Sequence, residues 1–412
     1  MARRLAEELQ IDPGLSSKYL LYGARGGGKS TQMHELRALL AAEFEVVDID
    51  LDRSGVAITG ITAFDLMYVI GVATLRLVRD KAERDRLHGG LTAAYASDDD
   101  ERKALGGVDQ ALDGIAGFGD AVVAGALAVG AVAAGAATGP AALVVASVKA
   151  VKHVLRLRSS ARDAREVVPA TSPPGRQMQD AVEAAFASAR NATGRYLAVL
   201  LDGLEKINGG AAQWMRDTFE NTRLLTDTSV TMVVAAPPCP FTDTNSAGDL
   251  GWHPYPIYGF APDDLPSLEE ALQRRIRAAG LDPDVLGVPA LCMRLATESG
   301  GHPRHAIQLL HSCAAGALVA RREQFTSDDV SAAVTKLREQ LEMGLVEPSY
   351  EALDAVDRHH RLPGVDPAHR LFSDGRILVH PPTSTMAHSF HVHPLLARAV
   401  EQYRASGGAG DA

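Results

Sequence analysis

The chain has 412 residues, a formal charge of -10 and a pI near 5.8, which is length for about two or three ordinary domains, each able to bury a core. The acidic balance excludes broad, nonspecific wrapping of nucleic acid, although it leaves room for a local basic patch. The three cysteines, Cys239, Cys292 and Cys313, are far apart and fit neither a disulfide framework nor a zinc spacing; they read as small buried residues in a reducing compartment. The opening MARRLAEELQ lacks the apolar core of a secretion signal, so the expected location is the cytoplasm.

Arg3 to Gln10 reads as a short helix leading into a strand. The next stretch, Tyr19 to Gln32, YLLYGARGGGKSTQ, organises the rest. An apolar run is followed by Gly23, Ala24, Arg25, Gly26, Gly27, Gly28, Lys29, Ser30 and Thr31, which complete the phosphate-binding pattern GxxxxGK[ST]. The glycines let successive backbone N–H groups turn inward toward an anion. Lys29 is placed to reach the β and γ phosphates of ATP, and the Ser30 hydroxyl to ligate Mg2+. A helix from Lys29 to about Ala42 adds the positive end of its dipole. Met33, Leu36, Leu39 and Leu40 give that helix its apolar side, and the order strand, loop, helix is what a chance match lacks.

Glu45 to Leu51, EVVDIDL, reads as a second strand. Asp48, Asp50 and Asp52 alternate along it, either as water-mediated magnesium contacts or as a polar strand end. Thr62 with Asp65 forms a capping-box-like start for a mostly buried helix through Leu66, Met67, Val69, Ile70 and Leu75. Beyond Arg79 the chain becomes charged, up to Asp98, Asp99, Asp100 and Glu101. It then becomes Ala, Gly and Val-rich from Gly114 to Ala150, with no charged residue between Asp120 and Lys149. A basic flank, Lys149 to Arg165, comes next, and Thr171 to Arg176 reads as an exposed linker. Residues 81 to 175 are therefore read as an insertion.

The core resumes with a helix from Gln177 and the strand Tyr196 to Asp202, YLAVLLD. Asp202 would hold magnesium through a water, and Glu205 stands where a second acid could orient or deprotonate the attacking water. Val230 to Ala236 is another core strand, ending in Pro237 and Pro238 with no polar residue at its tip. Helices are expected at Leu265–Ala279 and Val288–Ser299, then from Pro303 to about Ala320, opened by Gly300, Gly301 and His302 and carrying Arg304. A Ser327-capped helix to Met343 comes after them. The last piece has strand candidates at Ile377–His380 and Phe390–His393 and a helix from Pro394 to Tyr403. His388, His391 and His393 beside His380 offer metal-ligand types, although no acid or cysteine accompanies them. Arg358, Arg361, Arg370 and Arg376 offer contacts to DNA phosphates.

GARGGGKST, YLAVLLDGLEK, the apolar strand before Pro237, and SGGHPRHAIQLL with its helical pair together resemble the AAA+ and STAND superclass of P-loop ATPases. The last stretch is similar to the lid of origin-recognition initiators and transposition ATPases. The resemblance implies a P-loop parallel sheet with flanking helices, then a helical lid and a small winged-helix-like module. It implies ATP and Mg2+ as cofactors, with Lys29, Ser30 and Asp202 as the nucleotide and metal residues, Glu205 as the second acid and Arg304 as the nucleotide-sensing arginine. On this reading 1–80 and 176–262 are the two halves of the ATPase core, 81–175 the insert, 263–343 the lid and 344–412 the terminal module. Two departures point to slow hydrolysis and a switch more than a motor: Gly203 follows Asp202 where many AAA+ motors have a second acid, and Ala235, Ala236 and Pro237 stand where a polar sensor is usual. Arg216 and Arg223 lie near the usual region of an arginine finger, and a solvated helix face explains them equally well.

The apolar insert also resembles that of KAP-type P-loop ATPases, which carry membrane segments between their phosphate-site strands. One crossing would separate Lys29 from Asp202, and two need about 40 apolar residues, with Thr138, Gly139 and Pro140 breaking the run. A packed hairpin, a conditionally inserted membrane element and disorder are the readings of this segment. The basic flank would sit on anionic lipid, so contact through 114–165 with the inner face of the membrane is the conditional form of the expectation. The favoured function is an ATP-dependent switch in a bacterial signalling or anti-phage defence complex, acting as a homo-oligomer or on a partner protein. A DNA-associated loader, a membrane-associated ATPase and a noncatalytic nucleotide-holding scaffold are the alternatives.

Overall fold

The computed structural model describes residues 2–51, 61–95, 168–204, 211–237, 251–284, 289–381 and 389–407. The apolar segment 114–150, the basic flank 149–165, Asp52, Glu205, Cys239 and His388 lie outside the described residues. The chain divides into two compact units, Met1–Leu21 with Ser30–Tyr255, and Tyr22–Lys29 with Pro256–Ala412.

The first unit opens with α1 (Ala2–Ile11) and is built on β1 (Lys18–Tyr22), β2 (Phe44–Asp50), β3 (Tyr196–Asp202), β4 (Thr231–Ala235) and β5 (His253–Pro256). They form one five-stranded sheet in the order β2-β3-β4-β1-β5. β2–β3, β3–β4 and β4–β1 run parallel, with Asp50 opposite Asp202 and Leu21 opposite Ala235. Parallel neighbours need crossovers that cover the faces, so the strands read as continuous apolar runs; every residue of β4 is buried. α2 (Lys29–Leu40) follows β1. α3 (Ala63–Thr74) is buried along its whole length and capped by the expected box, in which the Thr62 hydroxyl accepts from the Asp65 N–H. A helix apolar all round must lie in a core, and α3 does so beneath α4 (Lys81–Tyr95) and α5 (Pro173–Thr193). Gly71 permits the approach, since a Cβ there would lie 2.7 Å from Leu91 and 3.2 Å from Val182. Leu87, Leu91 and Tyr95 of α4 thus belong to the first core, although the sequence reading put this stretch in the insertion.

Thr171 to Arg176 is not a linker. Ser172 caps α5, Pro173 takes its first turn, and Gly175 is buried where a Cβ would meet the Pro169 carbonyl at 2.0 Å. Two prolines suit a helix start, whose first N–H groups have no intrahelical acceptor.

The second unit holds α6 (Leu265–Ala278), α7 (Pro289–Glu298), α8 (Pro303–Val319) and α9 (Ser327–Glu342), then α10 (Glu347–His359), α11 (Asp366–Ser373), the antiparallel hairpin β6 (Ile377–His380) and β7 (Ser389–Val392), and α12 (Ala397–Ala405). Helices followed by a hairpin make the winged-helix-like arrangement expected. One buried cluster joins the lid helices to this module, with Leu272, Leu295, Leu310, Val334, Leu353, Phe372, Val379 and Leu396 among its members. The cap of α9 is Thr326 rather than Ser327. Its hydroxyl accepts from the Asp329 N–H and the Asp329 carboxylate accepts from the Thr326 N–H, a reciprocal box that Ser327 lacks the spacing to form.

Candidate functional site

The loop between β1 and α2 needs its glycines for distinct reasons. A Cβ on Gly23 would lie 2.8 Å from the Ile257 carbonyl, and Gly26 and Gly28 have φ of 79° and 100°, a region that costs an L side chain free energy. The Gly27 N–H donates to the Ala24 carbonyl at 3.1 Å, and the Arg25 N–H to the Ser373 carbonyl at the end of α11 at 2.8 Å. Lys29, only 4% exposed, donates from Nζ to the Gly23 and Ala24 carbonyls at 2.7 and 3.0 Å. The ammonium is thus held inside the curl of the loop at a helix N-terminus, where an anion is favoured. Ser30 and Thr31 are exposed in the first turn of α2.

In the first unit Asp202 ends β3, 7% exposed, and its Oδ1 accepts from the Gly203 N–H at 2.9 Å. Asp50 lies beside it in register. Asp48 points elsewhere, onto Arg37 at 3.0 Å. Burial pushes its carboxyl up and the guanidinium partly offsets this. Asp48 is therefore an ion-pair partner and no metal candidate, while Asp50 and Asp202 share the sheet end. Ala235 and Ala236, at the tip of the next strand, are buried and apolar. Of the finger candidates, Arg216 donates to Gln213 at 3.3 Å and Arg223 pairs with Asp227 at 3.5 Å, the pattern of a solvated surface.

In the second unit Gly300 and Gly301 turn the chain into α8 with φ of 62° and 75°. A Cβ on Gly301 would fall 1.9 Å from the Phe260 carbonyl, and the Phe260 N–H donates back to the Gly301 carbonyl at 2.9 Å. His302 caps the helix by accepting the His305 N–H on Nδ1, and Pro303 fills the first turn. This fixes the start of α8 so that Arg304 lies over the phosphate loop. A Cβ built on Gly26 would be 2.4 Å from its Cβ and 2.6 Å from its Nε.

Sequence reasoning missed a buried imidazole chain behind this arginine. His393 accepts the Leu395 N–H on Nδ1, which leaves its proton on Nε2, facing His305 Nδ1 at 3.2 Å. His302 Nε2 has no partner among the described residues. Burial, above all, holds His305 at about 4 and His393 at about 3, with charged and imidazole neighbours adding to it. The available signal was the pair of histidines flanking Pro303 and Arg304. His391 and His393 do not converge as ligands, because β7 ends at Val392 and His393 turns inward as a cap, while His391 stacks on His380 with centroids 4.6 Å apart. Among the described residues no three or more His, Cys, Asp and Glu side chains come together as a metal-holding group.

No family profile matches the chain, and neither does any curated protein. Among solved structures it is similar to the Aeropyrum pernix ORC2 protein in its ADP form, at 13% identity over 99% of this chain and 93% of that one, with a TM-score of 0.42. It is likewise similar to the Aeropyrum pernix ORC1 protein in complex with DNA, at 13% identity over 98% and 92% with a TM-score of 0.34. The third is CDC6P from Pyrobaculum aerophilum, at 13% identity over 99% and 94% with a TM-score of 0.36. The likeness is loose at these scores, and the site is defined by the residues of this chain.

Proposed function

We propose that this chain is an ATP-dependent molecular switch that binds ATP and Mg2+ at Gly23 to Thr31 and hydrolyses it slowly. The observation that supports the reading best is Arg304 lying over Gly26, inside a loop whose buried Lys29 already holds oxygen atoms. The residues suit the ligands. Loop amides and the α2 N-terminus favour phosphate, and the Ser30 hydroxyl and Asp202 carboxylate are the hard oxygen donors that magnesium takes. Magnesium, when bound, supplies charge neutralisation on the phosphates. Lys29 would exchange its loop carbonyls for phosphate oxygens. Glu205 serves as the base for the attacking water. With apolar residues at the tip of β4 nothing there helps to place that water, hence the slow rate. Arg304 reads the γ phosphate and passes its presence to α8 and the lid. A bacterial signalling or defence complex in the cytoplasm, with a homo-oligomer or a partner protein, and conditional contact of 114–165 with membrane, is the setting we propose. Filter binding of labelled ATP with magnesium tests the core of the reading. Lys29→Ala should abolish retention, and equal retention by parent and variant would overturn it.

A second reading, a DNA-associated loader, draws on the terminal module, where Arg361 and Arg370 are exposed and have no side-chain hydrogen bond or ion pair among the described residues. It requires duplex binding that weakens steeply with salt; duplex affinity indifferent to salt, or none, would remove it.

A further inference from the structure

α8 and α9 pack side by side in opposite directions. Gln308 near the start of α8 donates to Gln340 near the end of α9, and Gly316 near the end of α8 lies against Asp329 near the start of α9. Along the outer side of the pair runs a groove of about 740 Å3, lined by Arg304, Ile307, His311, Ala332, Lys336 and Val319 among others. From Arg304 to Val319 it spans about 22 Å at the helical rise of ~1.5 Å per residue, the length of about four helical turns and too long for one small ligand.

Its charge is one-sided. Arg304 and Lys336, both exposed, have no hydrogen bond or ion pair among the described residues. Neighbouring cations are engaged: Arg322 forks onto Asp329 at 2.7 and 2.8 Å, and Arg294 donates to Ser327 and Ser331 at 2.8 and 3.1 Å. Asp329 lines the groove, but Arg322, with Thr326, satisfies its carboxyl and holds it well below the usual carboxylate range. The small side chains Ala315, Ala332 and Ala333 let another backbone approach closely. At the far end Leu318 and Val319 stand 77% and 85% exposed, which leaves an apolar contact without a partner on the described surface. In a chain of net charge -10, this trough is complementary to acidic partners.

We propose that the groove docks an acidic amphipathic helix of a partner protein. Carboxylates pair with Arg304 and Lys336, and apolar side chains pack on Ile307, Ala332 and Val319, as one helix settles into the trough of a helix pair. Docking also competes with the phosphate loop for Arg304, whose stem rests on Gly26. This second half depends on the nucleotide reading, and the coupling must act in both directions.

The probe is a fluorescein-labelled 18-residue amphipathic helix with Glu on its polar face, beside a control with Gln at those positions, titrated by anisotropy against the full chain in about 50 and about 200 mM salt. The Glu peptide should bind at least about tenfold more tightly than the Gln peptide and weaken with salt. Lys336→Glu and Ala332→Arg, both on exposed positions, should each cost about tenfold or more while the melting temperature stays unchanged. ATP with magnesium should weaken the peptide severalfold in the parent and leave Arg304→Ala indifferent. Equal affinity of the two peptides, or an Ala332→Arg variant that binds like the parent, would overturn docking here. A drop in sedimenting mass in Ala332→Arg, with no peptide binding by the parent, would assign the groove to a second copy and overturn the partner helix. If ATP binds and does not move the peptide affinity, the competition is wrong and docking stands. If ATP does not bind at all, the nucleotide reading fails, and the competition with it, while the two peptides still decide the groove.

Discussion

Two glycine turns of the second unit lead into helices, and they have opposite fates. Gly26 and Gly28 precede α2 and Gly300 and Gly301 precede α8, all with positive φ. At Gly301 the space is taken by the protein's own Phe260 carbonyl, and the helix start is capped by the His302 ring. In the phosphate loop Lys29 donates to the Gly23 and Ala24 carbonyls, and the Gly27 N–H to the same Ala24 carbonyl. One local device therefore serves two ends. Where the chain supplies its own acceptor, the turn is structural and fixes Arg304; where donors and a buried ammonium converge, the turn suits a phosphate.

The sharpest way to break this contrast is Lys29→Ala. The loop should keep its fold, because its lost partners are carbonyls that water can serve, while ATP affinity should fall by about a hundredfold or more; isothermal titration reads it. If affinity survives, the two turns are alike and both structural. Gly301→Ala should do the reverse. With φ of 75° and a Cβ 1.9 Å from a carbonyl oxygen, it should cost about 3 kcal/mol or more of stability by thermal melting. A melting point within a degree or two of the parent would mean that the Phe260 contact does not set the turn.

Glu205→Gln sharpens the contrast at the level of chemistry. ATP binding should persist and steady-state turnover should drop by about a hundredfold or more, within the range for a lost general base. Unchanged phosphate release would leave only positioning by the site. The smallest effect concerns the histidines behind Arg304. His305 and His393 titrate in the fold at about 4 and about 3, below their usual value of about 6.5. The unfolded chain thus binds more protons as pH falls, so stability is full above about 6.5 and is lost progressively toward the folded values. His393→Gln should flatten the fall of melting temperature between about pH 6.5 and 4; an unchanged slope would mean that the ring is not held neutral by the core.

The strand, loop and helix around Lys29 could be read directly, because that motif is local: glycine freedom, an apolar strand and an amphipathic helix each have a sequence period or a residue signature. The same holds for Asp202 at the end of YLAVLLD and for Arg304 after Gly-Gly-His-Pro. The start of α5 was misread because Ser-Pro-Pro-Gly is both a turn signal and a good helix start, and only burial of Gly175 against Pro169 decides between them. Long-range partners left no local trace. The chain order predicts neither Ser373 accepting the Arg25 N–H, nor His393 meeting His305 across 88 positions, nor the separate ways of His391 and His393. By itself the sequence determined which residues are candidates for a phosphate and a metal, since candidacy follows from side-chain chemistry and local backbone freedom. Only the tertiary structure decided which distant groups brace them, why the Gly301 turn is filled while the Gly26 turn is braced by Arg304, and that the cations of α8 and α9 share one groove, because those outcomes depend on packing between segments far apart in the chain.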